Sequence, residues 1–165
     1  MTSVLILSGP NLNLLGSRQP EVYGKTTLAE IEKMCREFVQ SWGWDISHFQ
    51  SNHEGVLIDA LHAASSQHDG VILNAGAYTH TSIALMDAVA SIDIPVIEVH
   101  LSNIAEREPF RRISYISHAA VAQICGMGAQ GYLKGLEILA EHLGKSSSSE
   151  HADAFRKSVV ESHKT

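Results

Sequence analysis

The sequence predicts an α/β domain in which a doubly wound, five-stranded parallel sheet carries helices on both faces. Two observations predict it. Five short runs rich in β-branched and apolar residues recur along the chain, and the gaps between them hold apolar residues at helical spacing. Three of the runs are almost continuously apolar, which suits strands covered on both faces, as in a parallel sheet. Strands that alternate with helices imply βαβ units.

The first expected strand covers 3–7 and includes Val4, Leu5, Ile6 and Leu7. A helix is expected over 27–42, where Leu28, Ile31, Met34, Cys35 and Phe38 share a face, with Thr26 or Thr27 as cap and Glu30 downstream. The second strand is expected over 45–50. A second helix over 54–67 places Val56, Ile58, Leu61 and Ala64 inward. The third strand, 70–74, contains Val71, Ile72 and Leu73. A helix starting at Thr79 or Thr81 and running to Ala90 brings Ile83, Leu85, Met86 and Val89. The fourth strand is expected over 95–99 and the fifth over 119–125. A last helix over 130–143 carries Leu133, Leu136, Ile138, Leu139 and Leu143, and Gly144 stops it. Five such strands suggest a flavodoxin-like three-layer sandwich, by analogy of fold. Residues 1–144 form a single domain in this reading, and 145–165 a polar C-terminal tail. The tail opens on the serine run 146–149 and has only Phe155, Val159 and Val160 as apolar anchors.

Composition narrows the function. The chain has 165 residues, 44% hydrophobic and 18% charged, the balance of a soluble globular domain with a core of its own. No apolar run is long enough to span a bilayer, and the apolar start of the chain lacks a basic flank, so no secretory signal is read and a cytoplasmic location is expected. A net charge of −6 disfavours non-specific nucleic-acid binding, which needs a basic face. Arg107, Arg111 and Arg112 nevertheless crowd one stretch, a local excess suited to a small anion. Cys35 and Cys125 have no C-x-x-C spacing and read as two buried thiols. The ten histidines show no H-E-x-x-H pair, so spacing signals no metal. His48, His53, His62, His68 and His118 read as surface or helix-face residues.

In an open parallel sheet, ligands bind beyond the carboxyl ends of the strands. Polar residues gather after three of them. After the first come Gly9, Pro10, Asn11 and Asn13, then a long loop to Lys25 that holds Arg18 and Tyr23. That length and position fit an active-site lid, although a lone tyrosine is more often a packing residue. After the third strand, Asn74 and His80 bracket a glycine-containing turn into a helix. Thr79 could cap that helix, and Asp87 would lie roughly two turns beyond His80, where it reads as a surface charge. At the fourth strand, alternation points Glu98 and His100 to one face. A carboxylate beside an imidazole fixes its tautomer and suits a general acid or base; a salt-bridged histidine at a strand end is the other reading. The backbone N–H groups of Leu101 and Ser102 could form an anion nest, or simply a turn.

These residues stand in longer runs that resemble the type II 3-dehydroquinate dehydratases. The runs are Leu7 to Gly16 (LSGPNLNLLG) followed by Arg18 and by Glu21 to Gly24 (EVYG), Ile72 to Ser82, Ile97 to Asn103, Arg107 to Arg112 (REPFRR), and Gly126 to Tyr132 (GMGAQGY). Together they cover roughly residues 3–144 in order. The resemblance implies a flavodoxin-like fold, a dodecamer built from trimers, and anti elimination of water from 3-dehydroquinate through an enolate, giving 3-dehydroshikimate in the shikimate pathway or in quinate catabolism. It implies no cofactor and no metal. Tyr23 matches the proton acceptor, and Arg18 the lid arginine that keeps it ionised. His100 matches the proton donor, oriented by Glu98, and Asn11 the residue that places a water near the enolate oxygen. Asn74, His80, Arg111, Leu101 and Ser102 match substrate contacts. Asp87 matches an aspartate that reaches a neighbouring subunit's site, and Arg107 a structural or lid position. The tail beyond Gly144 runs past the usual end of the family.

Two other readings compete. A phosphate-binding module on the same fold would use the Gly9-Pro10-Asn11 turn, and a metal-dependent hydrolase would use some of the histidines. No lysine sits at a strand end of the matching core, which disfavours a Schiff base.

Overall fold

Strand β1 (Ser3–Ser8) pairs in parallel with β2 (Asp45–Gln50) on one side and with β3 (Gly70–Asn74) on the other. Strands β4 (Val96–His100) and β5 (Ala122–Cys125) complete a sheet of order β2-β1-β3-β4-β5, all parallel. This computed structural model describes residues 1–144, so the expected tail at 145–165 lies outside the described residues. The order is the flavodoxin-like one that the five-strand pattern suggested.

The near-continuous apolar runs are explained by what lies on each side of the sheet. Val4 and Ile6 of β1, with Ile72, Ile97, Val99 and Ile124, pack under helices α2 (Leu28–Val39) and α5 (Gln130–His142). Leu5 and Leu7 point the other way and, with Val71, Leu73 and Val96, pack under α3 (Glu54–Gln67) and α4 (Ile83–Ser91). Successive residues of a strand face opposite sides, so the central strands β1 and β3 need apolar residues on both faces to seal two cores, while the edge strands β2 and β5 are mixed.

Helix α2 starts at the expected cap. The Thr27 side chain accepts from the Glu30 backbone at 3.2 Å, while the Glu30 carboxylate accepts from the Thr27 backbone at 2.7 Å, a reciprocal capping box. The α-helical part ends at Val39 and a tighter 3-10 turn, Gln40–Trp42, finishes the segment expected to reach 42. Helix α4 begins later than expected. Its cap is Ser82, whose hydroxyl accepts from Leu85 N at 2.9 Å, and residues Gly76–His80 form a separate 3-10 turn. Thr79 therefore caps nothing: it is fully buried and its hydroxyl lacks a hydrogen-bond partner. The break also takes His80 off the helix that carries Asp87, so the two do not share one helical face. Strand β5 starts at Ala122, three residues after the expected 119, because Ile116–His118 turn back as a 3-10 segment. The segment around Tyr23, expected as loop, contains a short helix, α1 (Pro20–Tyr23), opened by its proline.

Candidate active site

One cleft of about 150 Å³ lies beyond the carboxyl ends of β1, β3 and β4, and Asn11, Arg18, Tyr23, Asn74, His80, His100, Leu101, Ser102 and Arg111 all line it. The same wall contains Arg107, and none of the lining residues is acidic. Three guanidinium groups without a carboxylate in the wall make the cleft a receptor for an anion. Glu108 sits outside, 3.1 Å from Arg111 Nε and 3.7 Å from Arg107 Nε, and so restrains both arginines from behind. The Arg111 Nε–H makes no well-aligned hydrogen bond despite that distance.

The loops that carry these groups are tied to one another. Gly9 N–H donates to the Asn74 carbonyl at 2.7 Å, joining the ends of β1 and β3. The approach is so close that a Cβ on Gly9 would lie 2.5 Å from the Ala75 carbonyl oxygen, so only glycine fits. Asn11 then takes a left-handed conformation with φ 66°, and its N–H donates to the Asn52 side chain at 3.0 Å. Asparagine tolerates that region better than most residues. Gln50, at the end of β2, donates to the Gly9 carbonyl at 3.1 Å and to Asn52 at 3.1 Å.

Tyr23 meets one arginine from its own loop and one from far along the chain. Arg107 Nη1 donates to the Tyr23 hydroxyl at 3.3 Å and to the Ser102 hydroxyl at 3.2 Å, and its guanidinium carbon lies 5.4 Å from the tyrosine ring centre. Arg18 lies 5.6 Å from the same ring centre. The cation in hydrogen-bond contact with the phenol oxygen is thus Arg107, read from the sequence as structural or lid-related, while Arg18 flanks the ring.

Glu98 and His100 meet as strand alternation requires. His100 Nε2 lies 2.6 Å from Glu98 Oε1, with Glu98 fully buried and His100 nearly so. Glu98 is also held by two residues that no motif or spacing singles out. The Ser114 hydroxyl donates to Oε1 at 2.5 Å, and Gln123 Nε2 donates to Oε2 at 3.1 Å. Gln123 is the in-register partner of Glu98 on β5, so both side chains leave the sheet on one face. The imidazole shares Glu98 as acceptor, which leaves Nδ1 for the cleft.

His80 is anchored by its Nδ1, which donates to the Ile113 carbonyl at 2.7 Å. A carbonyl only accepts, so Nδ1 holds the proton and Nε2 is the free acceptor of the neutral ring. Burial holds His80 below the usual histidine range; the neighbouring His100 and Arg111 push the same way, against the Ile113 hydrogen bond and Glu98. Asn74 is buried with both ends of its amide engaged: Oδ1 accepts from Gly76 N at 3.1 Å and Nδ2 donates to Tyr132 Oη at 3.1 Å. One N–H of Nδ2 remains for a ligand. Tyr132 is fully buried and its phenol is pushed up to about 12 by burial, so it stays protonated. The Leu101 and Ser102 turn is fixed by Gly128 N on the Leu101 carbonyl at 3.0 Å and Gly126 N on the Ser102 carbonyl at 3.1 Å.

Asp87 is exposed on α4 and does not line the cleft of its own chain. Of the histidines set aside, His53, His62 and His118 are exposed as expected. His48 is not a surface residue: it is half-buried on β2, 3.2 Å from the Ser8 hydroxyl and 3.5 Å from Glu32. His68 is likewise partly buried, its Nδ1 2.8 Å from the Ser3 hydroxyl. Both cysteines are free; Cys35 is buried, its thiol pushed up to about 12 chiefly by burial, and Cys125 is only half-buried. Among the described residues, no three His, Cys, Asp or Glu side chains gather as a metal site.

The family described as Dehydroquinase class II matches residues 2–140. A 3-dehydroquinate dehydratase of Ruegeria pomeroyi is 62% identical over 143 residues, 87% of this chain and 96% of that protein. One from Dinoroseobacter shibae is 60% identical over 145 residues, 88% of this chain and 97% of that protein. The crystal structure of a type II dehydroquinase from Butyrivibrio crossotus superposes with a TM-score of 0.82 at 41% identity, covering 84% of this chain and 97% of that one. With the fold, the arginine-lined cleft and these likenesses together, the chain belongs to the class II dehydroquinase family.

Proposed function

We infer that this chain dehydrates 3-dehydroquinate to 3-dehydroshikimate, the reaction of its family, in the shikimate pathway or in quinate catabolism. The observation that carries the chemistry is that a tyrosine bonded to an arginine and an imidazole bonded to a buried carboxylate line one cleft. A β-hydroxy ketone loses water when a base takes the proton beside the carbonyl and an acid protonates the departing hydroxyl. Tyr23, as phenolate beside Arg107 and Arg18, takes the proton. The electron pair moves onto the ketone oxygen, and this enolate is stabilised by a water held by Asn11. The enolate then collapses as the C–O bond breaks, and His100, as imidazolium on Glu98, gives its proton to the leaving hydroxyl in an anti elimination. One water leaves, and the enone remains.

Arg111, His80, Asn74, and the backbone and hydroxyl of the Leu101–Ser102 turn hold the substrate's carboxylate and hydroxyls. Asp87, exposed on α4, serves a neighbouring copy's cleft in a homo-oligomer, a dodecamer built from trimers. The enzyme works in the cytoplasm; no helix among the described residues is long and apolar enough to cross a membrane. Neither metal nor Schiff base takes part.

The test is absorbance in the enone band as protein meets 3-dehydroquinate. A rise that persists with chelator and after borohydride treatment is expected. It should be nearly lost in folded Tyr23→Phe and His100→Ala. A flat trace from folded protein, or full rates in either variant, would sink the reading.

A further inference from the structure

We propose that Ser114 is a positioning residue for the proton donor: it acts through Glu98 to fix the tautomer and orientation of His100. The proposal rests on the reading of His100 as the acid of the dehydration.

Five contacts define the role. The Ser114 hydroxyl accepts from the Ser117 backbone N–H at 3.1 Å, so its own proton is free to point elsewhere. It points at Glu98 Oε1, 2.5 Å away, the same oxygen that lies 2.6 Å from His100 Nε2. The Gln123 amide donates to the second oxygen at 3.1 Å. The Ser117 hydroxyl donates back to the Ser114 carbonyl at 2.9 Å and closes the turn.

Glu98 is inaccessible to solvent, so no bulk water can supply a missing donor. A buried carboxylate is acceptor-only and stays in place only while donors meet its lone pairs. With Ser114 and Gln123 each supplying a donor, the remaining direction on Oε1 belongs to His100 Nε2–H. The imidazole is thereby held with Nδ1 towards the cleft, the atom that must carry the transferred proton. Take away the serine donor and the carboxylate is free to rotate, and the ring loses its reason to prefer one tautomer. An acid group behind an imidazole works in this way, by orienting it rather than by taking its proton.

The position of Ser114 adds a second consequence. The preceding residue, Ile113, offers its carbonyl to His80 Nδ1 at 2.7 Å. Consecutive residues therefore hold both imidazoles of the cleft, His80 directly and His100 through Glu98. The same strap begins a few residues earlier with Arg107 and Arg111, so the anion-binding arginines and the two rings are set by one segment.

The experiment compares Ser114→Cys and Ser114→Ala with the parent. Cysteine keeps the volume and loses most of the donor strength; alanine loses both. Folding is checked by circular dichroism and melting. Each variant should lower kcat by roughly tenfold or more and leave KM nearly unchanged, because the substrate contacts stay. In 15N-labelled protein, the signals of the neutral His100 ring should pass from an Nε2–H tautomer to a mixture. In a Glu98→Gln background, Ser114→Cys should cost no further rate, since the path through Glu98 is already broken. An unchanged kcat, an unchanged His100 tautomer, or an equal loss in the Glu98→Gln background each overturns the proposal. Absence of turnover in the unsubstituted protein would instead defeat the dehydratase reading. The tautomer measurement would still decide whether Ser114 positions the ring.

Discussion

Arg107 Nη1 lies 3.3 Å from the Tyr23 hydroxyl, although the two residues are 84 positions apart in sequence. The guanidinium also grips Ser102, and Glu108 stands behind it at 3.7 Å, so it cannot swing freely away from the phenol. On the proposed role of Tyr23 as base, a cation fixed at its oxygen needs no reorganisation during the reaction. Arg107→Met, which keeps the stem and removes the charge, should lower kcat by roughly a hundredfold with a smaller change in KM. Steady-state rates from the enone band measure this, and a kcat within twofold of the parent, by about the reproducibility of such rates, would transfer the role to Arg18.

Tyr132 reaches Asn74 from inside the core. Its phenol accepts one N–H of the Asn74 amide, and Gly76 N–H takes the other end, so the amide cannot flip. Tyr132→Phe should raise KM and leave kcat nearly intact, because orientation of a substrate contact is lost and not the acid or base. The lost hydrogen bond should also cost about 1 kcal/mol of stability, read as a lower melting temperature. A variant with a parental KM would show that Asn74 needs no such support.

Acid should destabilise the fold through its half-buried histidines. Burial holds both His48 and His80 below the ordinary value of 6.5, and for His48 the charge of Arg36 works the same way while Glu32 opposes it. The unfolded chain then binds more protons than the folded one once the pH drops to about 6.5, the unperturbed value. The stability these rings contribute is complete above that pH and is lost as the pH falls through their lower folded values. Denaturant titrations from pH 7.5 down to about pH 5 should show the decline, and His48→Gln should make it shallower. Curves of identical slope would show that His48 takes no part.

Gly9 is where two strand ends come within reach of each other. With an added Cβ 2.5 Å from the Ala75 carbonyl oxygen, the loops after β1 and β3 have to separate. Gly9→Ala should cost roughly 1–3 kcal/mol, the range of overpacking in a close-packed interior. It should also weaken activity, since Asn11 sits on one displaced loop and Asn74 ends the strand that leads into the other. A melting curve and rate equal to the parent's would contradict the crowding.

The sequence by itself determined the layers, the number of strands and most of the polar residues that line the cleft, Asp87 excepted. Those features are local: a strand with both faces buried must be apolar throughout, Glu98 and His100 share a face because side chains alternate, and ligand-binding residues follow strand ends. The start of α4 was misplaced because Thr79, Thr81 and Ser82 are all cap-type residues, and only the packing of Thr79 into the interior decides for Ser82. The partners of the groups in and behind the cleft were decided by tertiary structure alone. Ser114 and Gln123 reach Glu98 across 16 and 25 residues, Tyr132 reaches Asn74 across 58, and Arg107 reaches Tyr23 across 84. No periodicity links such positions. A hydrogen bond needs two atoms within about 3 Å in the right direction, and that condition is met only when the sheet sets β5 beside β4 and folds the arginine-bearing strap over the ends of both.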